Sequence, residues 1–101
     1  MARNKNYISG RRFEYKYAKD LRELGCIVMR TAGSHGPFDL IAIGGSGQVT
    51  MIQCKVTEEQ SVAERMLKDF RAKPPFPPAL AEFTQMLVVK VKHSQTISTS
   101  V

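Results

Sequence analysis

The linker Gly44-Gly-Ser-Gly47 constrains this chain more than any other segment. On its two sides stand Phe38-Asp-Leu-Ile-Ala-Ile43 and Gln48-Val-Thr-Met-Ile-Gln-Cys-Lys55. A glycine-rich turn between two such apolar, β-branched runs predicts an antiparallel hairpin. Pairing Ile43 with Val49 places Ile41 opposite Met51 and Asp39 opposite Gln53. Side chains alternate along a strand, so Asp39, Gln53 and Lys55 are expected on one face of the hairpin's open end. The linker lacks the Lys-Ser/Thr pair and following helix of a phosphate loop, and is read as a turn.

The other elements arrange themselves around this hairpin. Residues 9–24 read as a helix, with Ser9 as N-cap, an apolar stripe of Phe13, Tyr17, Leu21 and Leu24, and Gly25 as the C-terminal cap. Residues 26–30 are a short strand, and the loop 31–37 carries two glycines and a proline. Residues 58–71 form a second helix, with Val62, Met66, Leu67 and Phe70 on its apolar face. The four prolines between 74 and 78 end it. Residues 84–92 form a fourth strand. The order is α-β-β-β-α-β, a small α/β domain with a mixed central sheet flanked by helices. It is expected to span 1–101 as one domain, with 1–7 and the Ser/Thr-rich 93–101 as flexible tails.

With 101 residues, the chain has room for one domain and no cleft between lobes. Its longest apolar runs, Leu40–Ile43 and Met86–Val89, are far short of a membrane span. The charged N-terminus has no apolar stretch behind it, which argues against a secretory signal and for an intracellular protein. Cys26 and Cys54 are too few for a disulfide framework or a four-ligand zinc site, and are expected as buried thiols. The net charge of +6 divides into +5 over residues 1–30, −2 over 31–60 and +3 over 61–101. Basic flanks around a sparsely charged centre suit a polyanionic partner, against the plainer reading of a solvated helix face. Arg11, Arg12 and Arg30 are the phosphate-contact candidates.

A carboxylate, a carboxamide and an amine converging at a strand end are costly unless paired, solvated or used. Asp39 and Gln53, with the backbone carbonyl of Cys54, are hard oxygen donors suited to Mg²⁺. Glu14 adds a second carboxylate if the first helix packs against this end of the hairpin. Lys55 is placed to hold an attacking water or the charge that develops at phosphorus. The alternative is an Asp39–Lys55 salt bridge at a sheet edge, with Glu14 merely solvated.

Gly10-Arg-Arg-Phe-Glu14, Leu21-Arg-Glu-Leu-Gly25-Cys-Ile-Val-Met-Arg30, Gly33-Ser-His-Gly-Pro-Phe-Asp39-Leu-Ile-Ala and Ile52-Gln-Cys-Lys55 together resemble the PD-(D/E)xK nuclease superfamily. Within it, they are most similar to the archaeal-type Holliday-junction resolvases, which phages also carry. The resemblance is best over residues 8–57. It implies a restriction-endonuclease-like fold and a Mg²⁺-dependent endonuclease, with Mn²⁺ as a substitute metal and no small-molecule cofactor. It matches Glu14, Asp39 and Lys55 to metal-binding and catalytic positions, Ser34 to a loop serine of junction cleavage, and Arg30 to a basic residue near the site. His35 beside Ser34 is a further DNA-contact candidate, against an ordinary solvated loop histidine. Gln53 departs from the usual Glu, and Tyr15 stands where Arg often follows the glutamate.

The implied partner is branched DNA, a four-way junction. Such a substrate needs two symmetric cuts, so a homodimer is expected, with the apolar face of the second helix or the last strand at its interface. A virus-encoded protein acting in a host cell fits this resemblance. The competing expectations are a related nuclease acting on other DNA structures, and a DNA-binding module whose nuclease site has decayed.

Overall fold

The computed structural model describes residues 5–31, 36–79 and 82–101, with side chains from residue 9 onward. Helix α1 (Lys5–Glu23) is followed by β1 (Ile27–Arg30), β2 (Leu40–Ile43) and β3 (Val49–Thr57). Helix α2 (Gln60–Ala72), β4 (Thr84–Val91) and β5 (Thr96–Ser100) complete the order α-β-β-β-α-β-β. The strands form one sheet in the order β1-β2-β3-β4-β5. Among the described strands only β3 and β4 pair in parallel, with α2 as the crossover between them. The expected mixed sheet flanked by helices is therefore present.

The hairpin is in the expected register, with Ile43 opposite Val49 and Ile41 opposite Met51. Its turn closes through the Gly47 N–H donated to the Gly44 carbonyl at 2.9 Å, with Gly47 at φ +85°. That left-handed backbone is open to glycine at little cost. Gly25, at φ +97°, ends α1 in the expected way. The Cys26 N–H reaches the Leu21 carbonyl at 3.1 Å and the Gly25 N–H reaches that of Arg22 at 3.0 Å. These are the two bonds of a Schellman cap.

Three local expectations are corrected. Helix α1 begins at Lys5, so Ser9 lies inside it and residues 5–7 are helical rather than a tail. Nothing between Lys5 and Ser9 breaks a helix, and Gly10 only weakens one. Leu24 is 80% exposed and does not join the buried stripe, because it sits at the cap where the chain turns away. Residues 96–100 form β5 instead of a frayed end. Thr96, Ile97 and Thr99 favour a strand despite their polarity. Ile97 and Val101 pack into the core beside α2. His93, at φ 59°, makes the turn that leads into β5.

Each helix covers one face of the sheet. On the α1 side Ala18 packs with Val28, Leu40, Ala42, Ile52, Cys54 and Val88. On the α2 side Ala63 and Phe70 pack with Phe38, Leu87, Val89 and Val91. The apolar face of α2 is thus spent on the sheet and is not free for a dimer contact. The exposed large apolar side chains include Ile27 and Met29 on the edge strand β1 and Leu24 at the α1 cap, with Tyr15 on α1 and Phe76 in the loop after α2. No described helix is long and apolar enough to cross a membrane.

Candidate functional site

The site is organised by a break in strand alternation at Asp39. The register pairs Leu40 with Ile52, yet the Asp39 N–H also donates to the Ile52 carbonyl, at 2.7 Å. Two residues of one strand then oppose a single residue of the other, which is a β-bulge. Phe38 accordingly belongs to the α2-side core while Leu40, two residues on, belongs to the α1-side core. The expectation that Asp39 and Gln53 share a face assumed unbroken alternation, and the bulge overturns it. Asp39 is turned toward α1, whereas Gln53 and Lys55 open onto a groove of about 470 Å³ shared with Pro37, Asp69 and Phe70.

The Asp39 carboxylate accepts the Cys54 N–H through Oδ2 at 2.8 Å. In an extended strand a residue's N–H and C=O point to the same side, so the Cys54 carbonyl shares that edge. Glu14, on α1, completes the acidic side. Its pKa is raised by burial and by the nearby Asp39 charge, and is partly offset by Arg30 and Arg11. The Cys54 thiol is pushed up to about 12 by burial, Asp39 and Glu14. That leaves a protonated, buried sulfur and not a nucleophile. Two carboxylates close enough for the Asp39 charge to raise the proton affinity of Glu14, beside a backbone carbonyl, suit a hard cation. Among the described residues there is no group of three His, Cys, Asp or Glu side chains able to hold a metal. Any cation would therefore draw on Glu14, Asp39 and neutral oxygens. Lys55 and Asp39 do not form the alternative salt bridge; the described ion pairs are Lys16–Asp20, Arg30–Glu14 and Lys92–Glu58.

A basic cluster borders this acidic pair. Arg30 Nη2 lies 3.8 Å from Glu14 Oε1. The Arg30 guanidinium stacks 4.3 Å from the centre of the Tyr15 ring, and its Nη1 donates to the Tyr15 hydroxyl at 3.1 Å. Arg11 donates to the same hydroxyl at 3.4 Å. The two arginines lower the phenol pKa, chiefly through the Arg11 hydrogen bond. Arg30 Nε is buried without a hydrogen-bond partner among the described residues. Tyr15 was visible only as a departure from the resolvase pattern. Its place directly after Glu14, one helix away from Arg30, was its one sequence signal.

Of the residues singled out from sequence, the structure gathers Glu14, Asp39, the Cys54 backbone, Arg11 and Arg30. Gln53 and Lys55 stand in the adjoining groove. Arg12 lies on the opposite flank of α1. Ser34 and His35 fall outside the described residues. The segment that holds them is anchored beside Asp39 at its start, because the Thr31 N–H donates to the Asp39 carbonyl at 3.0 Å and the Thr31 hydroxyl to that of Phe38 at 2.6 Å.

Residues 5–67 match the family described as archaeal Holliday junction resolvase (hjc). Among solved structures the chain is similar to Archaeoglobus fulgidus Hjc, a Holliday junction resolvase from an archaeal hyperthermophile. That likeness has a TM-score of 0.58 at 20% identity, and covers 89% of this chain and 70% of the other. At that identity it speaks for the fold. No curated protein matches the chain in sequence.

Proposed function

Because the chain belongs to the archaeal Holliday junction resolvase family, we propose that it is a metal-dependent endonuclease that cuts four-way DNA junctions. The observation that carries this reading is the pairing of Glu14 with Asp39 beside the Arg30 guanidinium. Glu14, Asp39 and the Cys54 carbonyl would hold Mg²⁺, or Mn²⁺ in its place, while Gln53 opens onto the α2-side groove. The bound ion would neutralise charge on the scissile phosphate and acidify an attacking water.

The chain's own groups have separate tasks. The Arg30 and Arg11 guanidiniums orient the non-bridging phosphate oxygens, and Tyr15 keeps the two together. Lys55 places an ammonium where charge builds up as water oxygen bonds to phosphorus and the bond to the 3′ oxygen breaks. The water proton passes to solvent or to the departing 3′ oxygen, which leaves as a hydroxyl. Each chain carries one such site, so two symmetric cuts call for a twofold homodimer. Ile27 and Met29 on the uncovered edge strand offer an apolar face for it.

Gln53 favours a second reading, a junction-binding module with a decayed nuclease site, because a neutral ligand holds a cation less well than Glu. Nicking of a synthetic four-way junction in Mg²⁺ or Mn²⁺ separates the two, with linear duplex and flap substrates alongside. Junction cleavage that disappears in Asp39→Ala supports the resolvase. Salt-sensitive binding without cleavage, with activity gained in Gln53→Glu, supports the decayed module. Full activity in Asp39→Ala removes the metal role assigned to that residue.

A further inference from the structure

Helix α1 has a second basic flank. Arg12 and Lys16 on α1 face Lys90, Lys92 and His93 from the end of β4 and the turn after it, across an open groove of about 490 Å³. Phe13 and Val56 supply its apolar floor, against which lysine stems can lie. Among the described residues no carboxylate lines the groove. The acids nearest to it sit outside the lining: Asp20 pairs with Lys16 at 2.7 Å, and Glu58, which is 75% exposed, pairs with Lys92 at 3.6 Å. Lys90 is held in place by the Ser94 carbonyl. Four permanent cations in one concave surface repel one another, and a polyanion relieves that repulsion.

The position of the groove narrows the choice of polyanion. At 100° per residue, Arg12 and Lys16 lie roughly 160° around α1 from Glu14. Arg11 and Arg30 mark one flank of the helix and this groove marks the other. The helix between them is about 10–12 Å across, close to the roughly 12 Å width of a DNA major groove. Cations on flexible stems suit backbone phosphates, contacts that position a duplex without reading its sequence. Resting on the resolvase reading, we propose that this groove holds the sugar–phosphate backbone of a duplex arm of the junction, on the strand that is not cut. It would set the direction in which that arm leaves the site.

The test is fluorescence anisotropy of a labelled four-way junction across a potassium chloride series without divalent metal. Wild type is compared with Lys16→Gln/Lys90→Gln/Lys92→Gln and with Glu58→Gln. The triple variant is expected to bind at least about tenfold more weakly at moderate salt. Its plot of log affinity against log salt should flatten by about 0.9 per lost phosphate contact. Glu58→Gln, which removes an acid beside Lys92, should bind more tightly than wild type. If the triple variant does not fold by circular dichroism, Lys16→Gln/Lys92→Gln, which leaves the Lys90–Ser94 bond intact, carries the same expectation. Unchanged affinity and slope in the folded variant overturn the groove. A wild type that binds junction and linear duplex alike here, and cuts neither when Mg²⁺ or Mn²⁺ is added in a separate cleavage assay, overturns the resolvase reading, while the slope comparison still decides the groove.

Discussion

Asp39 Oδ2 accepts the Cys54 N–H at 2.8 Å, so the carboxylate expected to hold metal is also the partner of a strand amide. The two roles separate by substitution. Asp39→Asn keeps an oxygen for Cys54 and should change folding stability little. Asp39→Ala leaves that partly buried N–H without an acceptor, at a cost of about 1–3 kcal/mol. Both should lower junction cleavage by at least about a hundredfold, since a metal site supplies several kcal/mol to the transition state. Urea denaturation and single-turnover cleavage, run on both variants, check the split. Equal stability of the two would show that the Cys54 bond contributes nothing.

Glu14 should show the electrostatic strain of this site directly. Burial and Asp39 raise its pKa above the ordinary value of 4.5. The folded state therefore holds this proton more tightly than the unfolded chain does. The resulting stability is fully present below the ordinary value and is lost as pH rises through the raised one. At neutral pH the ionised Glu14 is a net cost, so Glu14→Gln should be the more stable protein there, with the gap closing on acidification. Mg²⁺ should raise the wild-type melting temperature and shift the Glu14→Gln protein less, because binding to the folded state stabilises it. Thermal melts at neutral and acidic pH, with and without Mg²⁺, check both. A less stable Glu14→Gln at neutral pH contradicts the assigned balance.

Much of this architecture is legible in the sequence, and the exceptions share a physical cause. The hairpin register followed from the glycine turn, and the α1 cap from Gly25, because each depends on a local backbone requirement. Glu14 and Asp39 were found as a pair through their residue types and the resolvase resemblance. The face on which Asp39 points was not, because a bulge is a hydrogen-bond choice made between strands. Phe38 is apolar enough to be buried on either side of the sheet, so no residue announced the shift. Strand β5 was hidden by composition, since Thr96, Thr99 and Ser100 look like a tail until Ile97 meets α2. Of the two dimer surfaces the sequence suggests, α2 and the last strand, the sheet consumes the apolar face of α2.

Tyr15 should act on the reaction through Arg30. Its ring and hydroxyl hold that guanidinium at 4.3 Å and 3.1 Å respectively. An aromatic–guanidinium contact of this kind contributes about 0.5–2 kcal/mol. Tyr15→Ala should therefore slow cleavage by roughly 3- to 30-fold, and Tyr15→Phe, which keeps the ring, by clearly less. The same order should appear in junction affinity if Arg30 contacts phosphate. Cleavage rates and binding curves for the two variants check this. Equal losses in both would assign the effect to the hydroxyl and its Arg11 bond instead.

Gln85 is the buried polar residue on which the far wall of the site depends. It is fully buried, and its side chain binds both backbone groups of Phe76. The Phe76 N–H donates to Gln85 Oε1 at 2.9 Å, and Gln85 Nε2 donates to the Phe76 carbonyl at 2.8 Å. This pair fastens the proline-rich loop after α2 to the sheet. Phe76 in turn stacks on Phe38 at 6.0 Å, and Phe83 closes on both edge-on. Phe38 is the residue before Asp39, so the loop braces the bulge that aims the carboxylate. Gln85→Leu keeps the bulk but leaves two backbone groups without partners, at about 1–3 kcal/mol each. The expected loss is therefore on the order of 2 kcal/mol or more. Because the bulge loosens with the loop, the concentration of Mg²⁺ needed for half-maximal cleavage should rise in the fraction that remains folded. Urea denaturation and a Mg²⁺ titration of cleavage measure the two effects. A destabilised Gln85→Leu with an unchanged Mg²⁺ requirement would confine Gln85 to the loop and detach it from Asp39.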